Sequence, residues 1–182
     1  MTWRVHKTIV MVGMMGAGKT AVGKALAGKL ALPFLDSDAE IVRAANMTIA
    51  EIFARDGEVF FRDRESEVIS RLLDGSPCVL STGGGAFLAE RNRAMISERG
   101  ISVCLQAGLD LLWARVRHKD TRPLLQTSNP KQTLKEIFEA RAPVYALADV
   151  NVQADASYSI DDMAGRVVQA LGARPDVLEK TE

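Results

Sequence analysis

Thr8-Ile9-Val10-Met11-Val12-Gly13-Met14-Met15-Gly16-Ala17-Gly18-Lys19-Thr20 decides how the rest of the chain is read. Its first five residues are β-branched or apolar, too few for a helix and closed by Gly13, which predicts a buried strand. The next eight fit the pattern G-x-x-x-x-G-K-[ST] in full. Glycines let the backbone curl so that successive N–H groups, with Ala17 between Gly16 and Gly18, face inward as a nest for phosphate oxygens. After Lys19 the apolar residues Val22, Ala25, Leu26 and Leu30 recur at helical spacing. A helix therefore starts where the nest ends, and its N-terminal partial positive charge adds to the cradle. Lys19 can bridge the β- and γ-phosphates, and the Thr20 hydroxyl can ligate magnesium. Strand, nest and helix in that order predict a site for a magnesium–nucleoside triphosphate.

Outward from this segment, short apolar runs alternate with longer stretches of helical period, which predicts an α/β fold with a mostly parallel sheet. Further strands are expected at Pro33-Phe34-Leu35-Asp36, Cys78-Val79-Leu80-Ser81, 101–105 and 150–152. Helices are expected over 19–30, 49–55, 58–73, 90–98, 109–116, 133–141 and 160–171, the second opened by a capping-box pattern, Thr48-Ile49-Ala50-Glu51. Residues 173–182 offer little to pack and read as a loose tail. The 182 residues suit one domain, 1–172, and the 47% hydrophobic and 25% charged content is ordinary for a globular protein. Lys+Arg and Asp+Glu are 23 each, so the formal net charge is zero. A general nucleic-acid or membrane-surface binder would carry a basic excess instead. Cys78 and Cys104 sit in apolar runs and read as buried, inert thiols, and no CxxC pair or His/Cys cluster suggests zinc. No run reaches the ~18 apolar residues of a membrane span. The opening Met1-Thr2-Trp3-Arg4-Val5-His6-Lys7 lacks a signal peptide's apolar core, so a cytoplasmic location is expected.

Among phosphate-cradle proteins, a guanine-reading switch would carry N-K-x-D, which does not occur, and a motor ATPase would need a larger chain with a basic track. A minimal small-molecule kinase fits the size, and it must add an acceptor pocket and a mobile lid that shields the γ-phosphoryl from water. Asp36-Ser37-Asp38 ends the second expected strand. Two residues apart in an extended segment face the same side, so both carboxylates can project into the cleft, one toward magnesium and one toward an acceptor hydroxyl. The alternative is a helix cap at Asp38 preceded by a solvated Asp36. Arg62 can be a ligand or part of a solvated helix face, and Arg141 a ligand or a basic helix end answering the dipole. Thr82-Gly83-Gly84-Gly85 follows a buried strand, so bare backbone is brought close to a ligand at the sheet's C-terminal edge, or else makes a plain turn.

Taken together, these motifs resemble the shikimate kinase family over about 7–171. The matching pieces are Gly13 to Thr20, Leu35-Asp36-Ser37-Asp38, Phe61-Arg62 with Glu65, Thr82-Gly83-Gly84-Gly85-Ala86, Arg122-Pro123-Leu124-Leu125 and Arg141-x-Pro-x-Tyr145. The resemblance implies ATP-dependent phosphorylation of the 3-hydroxyl of shikimate, on the path to chorismate and aromatic amino acids; a compact kinase of this size is expected to be a monomer. It implies a three-layer fold with a five-stranded parallel sheet in the order 2-3-1-4-5, an acceptor region at about 33–75 and a lid at about 117–130. By position, ATP would contact Gly13, Gly16, Ala17, Gly18, Lys19, Thr20, Ala21, Arg115 and Arg122. Lys19, Asp38 and Arg122 would be catalytic. Asp38, Arg62, Gly83, Gly84, Gly85 and Arg141 would bind shikimate, with Glu65 orienting Arg62, and Thr20 and Asp36 would hold Mg2+. The third expected strand ends in Ser81-Thr82 without an acidic residue, so Asp36 must replace the usual acidic magnesium partner there. No proline occurs in Ala154-Asp155-Ala156-Ser157-Tyr158-Ser159, where some relatives place one beside adenine. A gluconate kinase-like enzyme or a catalytically silent ATP-binding domain are the alternatives.

Overall fold

The computed structural model describes residues 2–118 and 125–182. The phosphate-cradle strand β2 (Thr8–Val12) is buried at every position, as a strand covered on both faces must be. It lies at the centre of a parallel sheet, between β4 (Val79–Ser81) and β5 (Gly100–Gln106). The outer members are β3 (Phe34–Asp36) beside β4 and β6 (Val150–Gln153) beside β5. The full order is β3-β4-β2-β5-β6. Counted along the chain within this sheet it is 2-3-1-4-5, the expected topology. The reversal of winding beside β2 opens a crevice at the strands' C-terminal ends, which is where open α/β sheets take ligands.

Helix α1 (Lys19–Leu30) has the expected bounds and packs on α7 (Ile160–Leu171). The apolar face of α7, with Met163, Ala164, Val167 and Leu171 buried, is held in register by a reciprocal Ser159–Asp162 capping box. Helices α4 (Glu90–Arg99) and α5 (Leu109–Val116) occupy their expected places. Helix α3 (Ile49–Leu73) joins the two helices expected at 49–55 and 58–73, with a kink at Gly57. The φ of +85° there is open to glycine and strained for other residues. Thr48 Oγ1 caps it by accepting from the Glu51 N–H at 3.1 Å. Helix α6 (Pro130–Tyr145) extends past both expected ends, since Asn129 caps it and Pro143 falls in its last turn. There a missing N–H removes only one bond from the ladder.

Two features depart from the sequence reading. A helix α2 (Ser37–Ala45) follows β3 directly, where only the capping alternative at Asp38 had allowed for one. The tail expected over 173–182 is not loose: β7 (Leu178–Thr181) pairs antiparallel with β1 (Thr2–Val5). Val177 and Leu178 are buried, and Glu179 and Asp176 meet His6 and Lys7 at 3.3 and 3.5 Å. Val177 and Leu178 in a mostly polar decade are a faint local signal, and their partner strand lies at the far end of the chain.

Candidate active site

The cradle is built as its sequence dictates. Gly13, Gly16 and Gly18 all have positive φ, at 139°, 81° and 97°. A side chain at Gly16 would also place its Cβ 2.7 Å from Val116 Cγ1. Gly18 is the N-cap of α1 and has no side chain with which to cap it, so the helix presents its first-turn N–H groups and dipole to the cleft. Lys19 Nζ donates to the carbonyls of Gly13 and Met14 at 2.7 and 3.2 Å, which holds the ammonium over the cradle. Arg115 reaches back from α5 and donates to the Gly16 carbonyl at 3.0 Å.

A cleft of about 600 Å³ runs from this cradle across the sheet edge. Thr20, Ala21, Asp36, Asp38, Gly83, Gly84 and Arg115 all line it. The two carboxylates therefore share the cleft as expected, but not for the expected reason. The chain leaves the extended conformation at Ser37, so Asp36 ends a strand and Asp38 lies in the first turn of a helix. The expected capping alternative also falls on the other residue: Asp36 accepts from the Ala39 N–H at 3.0 Å and is the N-cap. Asp38 is half-buried, and it is the one with an enclosed oxygen. Its Oδ1 is shielded from water and has no hydrogen-bond partner among the described residues. Burial, then repulsion from Asp36, pushes the Asp38 carboxyl above its ordinary range, against the pull of Arg62 and Lys19.

The three glycines each face a different charged side chain. A Cβ on Gly83 would fall 2.9 Å from both Asp38 carboxylate oxygens. One on Gly84 would fall 3.4 Å from Arg141 Nη1, and one on Gly85 2.5 Å from Arg62 Nη2. None of the three has a positive φ; glycine is required by close approach and not by backbone conformation. The ribbon is therefore more than a plain turn, and Arg62 and Arg141 both lie against it, each only partly exposed. Arg62 donates to Glu65 at 3.0 Å, and the Glu65 side chain is 1% exposed. Burial raises the Glu65 carboxyl while Arg62, its hydrogen-bonded ion-pair partner, and more weakly Arg91 hold it down.

Residues 119–124 of the lid expected at about 117–130, Arg122 among them, lie outside the described residues. The structure adds residues to which no role was given. Tyr145 packs its ring in the core while its hydroxyl donates to the Gly84 carbonyl. Tyr158, Ser159, Ile160 and Met163 form the cleft wall next to the cradle. The Arg166 guanidinium lies 3.8 Å from the Tyr158 ring centroid, a cation–π contact that braces this wall. A tyrosine followed by a capping serine at the last expected helix was the one local hint of it.

A phosphate nest, a pair of carboxylates and two guanidinium groups gathered at the C-terminal edge of this sheet define an ATP-dependent small-molecule kinase. The comparisons with known proteins agree and are narrower. The family model described as Shikimate kinase matches residues 15–172. A shikimate kinase of Ruegeria pomeroyi is 68% identical over 175 residues, which is 96% of this chain and 90% of that protein. One of Cereibacter sphaeroides is 67% identical over 98% of this chain and 89% of its own length. The solved shikimate kinase of Acinetobacter baumannii in complex with shikimate aligns with a TM-score of 0.84 at 40% identity, covering 92% of this chain and 93% of its own. A gluconokinase from Sinorhizobium meliloti, at a TM-score of 0.61 and 18% identity, shares the fold alone. The chain belongs to the shikimate kinase family.

Proposed function

We propose that this site transfers the γ-phosphoryl group of ATP to the 3-hydroxyl of shikimate, giving shikimate 3-phosphate and ADP, with the following division of labour. The triphosphate lies in the Gly13–Thr20 nest, and Lys19 swings from the loop carbonyls onto the β- and γ-phosphates. Arg115 and the Tyr158 wall flank the base. Arg62 and Arg141 pair with the shikimate carboxylate by charge-assisted hydrogen bonds, the kind that a planar guanidinium makes best. The backbone of Gly83, Gly84 and Gly85 borders the ring, and the unpartnered Asp38 Oδ1 accepts from the reacting hydroxyl. A carboxyl held near its acceptor and pushed up in pKa is matched to take that proton as the oxygen attacks. Arg122 is assigned to the transferring phosphoryl.

The donor set fits Mg2+. Asp36 uses one carboxylate oxygen to cap α2 and keeps the other, and it shares the cleft with Thr20. Magnesium asks for one or two protein oxygens, the phosphates and water, so the absence of a three-residue His/Cys/Asp/Glu cluster among the described residues is no obstacle. When bound there, Mg2+ would offset negative charge on the β- and γ-phosphates. ATP as co-substrate and two free thiols support a cytoplasmic location.

One observation carries this reading: three successive glycines bring Asp38, Arg141 and Arg62 against one ribbon of backbone at the mouth of the phosphate cradle. The test is ADP release with and without shikimate, with gluconate and nucleoside monophosphates as rival acceptors. Shikimate-dependent turnover is expected. A rate equal to the acceptor-free blank would mean a silent ATP-binding domain, and faster turnover of gluconate would reassign the acceptor.

A further inference from the structure

Both substrate arginines stand on helices that are otherwise far apart in the sequence: Arg62 on α3 and Arg141 on α6. A bidentate grip on one small carboxylate tolerates little error in the spacing between two guanidinium groups. The glycine ribbon touches both, and each helix is tied to that ribbon by a buried polar link. On the α6 side, the Tyr145 hydroxyl donates its one proton to the Gly84 carbonyl, and the same glycine lies against the Arg141 guanidinium, with a Cβ there 3.4 Å from Arg141 Nη1. Tyr145 is 3% exposed, and burial raises its phenol further above the physiological range, so the proton stays in place. On the α3 side, the Ser66 hydroxyl donates to Asn92 Oδ1 at 2.7 Å, and Asn92 Nδ2 donates to the Ala86 carbonyl at 2.9 Å. Ala86 directly follows the ribbon, and Ser66 stands one turn after Arg62 on α3.

We infer that Tyr145 and the Ser66–Asn92 pair are positioning residues, two struts that set the separation of Arg141 and Arg62 by fixing both helices to the same three-glycine ribbon. The inference rests on the shikimate reading above and deepens it. Their polar atoms face the ribbon and its neighbours and not the cradle, so their effect is confined to the acceptor. A tyrosine kept only for its ring would be indifferent to loss of the hydroxyl; a strut would not.

The experiment is Tyr145→Phe, which keeps the core ring and removes the hydroxyl, measured by steady-state kinetics and by shikimate calorimetry without ATP. Shikimate-dependent turnover by the wild type is the control that establishes the activity, separately from the struts. The shikimate KM is expected to rise about tenfold, the scale of one buried hydrogen bond, while the ATP KM stays within about twofold. In an Arg141→Ala background the same substitution is expected to add less than about twofold, because the group it positions is gone. Ser66→Ala is expected to raise the shikimate KM with the ATP KM unchanged, and with a similar loss of effect in an Arg62→Ala background. Unchanged shikimate affinity, equal movement of both KM values, or a full effect in the arginine-free backgrounds would overturn the inference.

Discussion

Gly85→Ala tests the site at the point where its geometry is tightest. Gly85 has φ −89° and ψ −12°, which alanine adopts freely. Its added Cβ would fall 2.5 Å from Arg62 Nη2 and 2.7 Å from Nη1. Ordinary contact begins near 3.4 Å, so the guanidinium must retreat by about 1 Å. It can do so because it is the far end of a flexible side chain, and Glu65 and Glu58 give it carboxylates to follow on the same helix. Protein stability should therefore change little: loss of glycine's unfolded-state entropy gives back about 0.4–1 kcal/mol, against a stretched ion pair. Binding should suffer. A charge-assisted hydrogen bond is worth about 1.5–3 kcal/mol, so losing the Arg62 share of the carboxylate grip raises the shikimate KM roughly ten- to a hundredfold. The assay is a coupled ADP-release titration of each substrate, with a thermal melt alongside. A large fall in Tm with both KM values raised together would show that the ribbon, and not the guanidinium, gave way. An unchanged shikimate KM would remove Arg62 from the acceptor site.

Three further outcomes follow from the same geometry. Arg141→Ala should raise the shikimate KM far more than the ATP KM, and equal effects in the same titrations would refute its role. Asp38→Asn should cut kcat with folding intact, and the wild-type kcat should fall at acid pH along a limb lying above the ordinary aspartate value near 3.8. A carboxyl whose folded-state pKa is raised weakens the fold as pH climbs from its unfolded to its folded value, and then levels off. Asp38→Asn should therefore melt higher than wild type at neutral pH, with the difference vanishing at low pH; melts across pH check the sign. Chelation of divalent cations should abolish turnover, and Thr20→Ala should raise the magnesium concentration needed for half-maximal rate while calorimetric shikimate affinity is unchanged.

The cradle was legible from its letters because each of its demands is local. A left-handed backbone needs glycine, a first-turn hydroxyl needs serine or threonine, and a buried central strand needs an unbroken apolar run. The sheet order was legible through the family's pattern, and α1, α5 and α7 came out at their expected bounds. Asp36 and Asp38 were expected to share the cleft on strand geometry, and they share it through a helix turn instead. A three-residue strand leaves no periodicity to show where the extended segment stops.

What the chain determined by itself was its chemistry: which residues carry phosphate nests, acids and guanidinium groups, and in what order along a parallel sheet. Tertiary structure alone decided which of these meet. Glycines at 83, 84 and 85 look interchangeable in sequence, yet each admits a different partner, since close approach depends on atoms supplied by helices 20 to 60 residues away. Folding also placed Tyr145 against Gly84, enclosed Asp38 Oδ1 without a hydrogen-bond partner among the described residues, and paired the last strand with the first. Such contacts join segments with no local signature, because burial and proximity arise only when the whole sheet has closed its core.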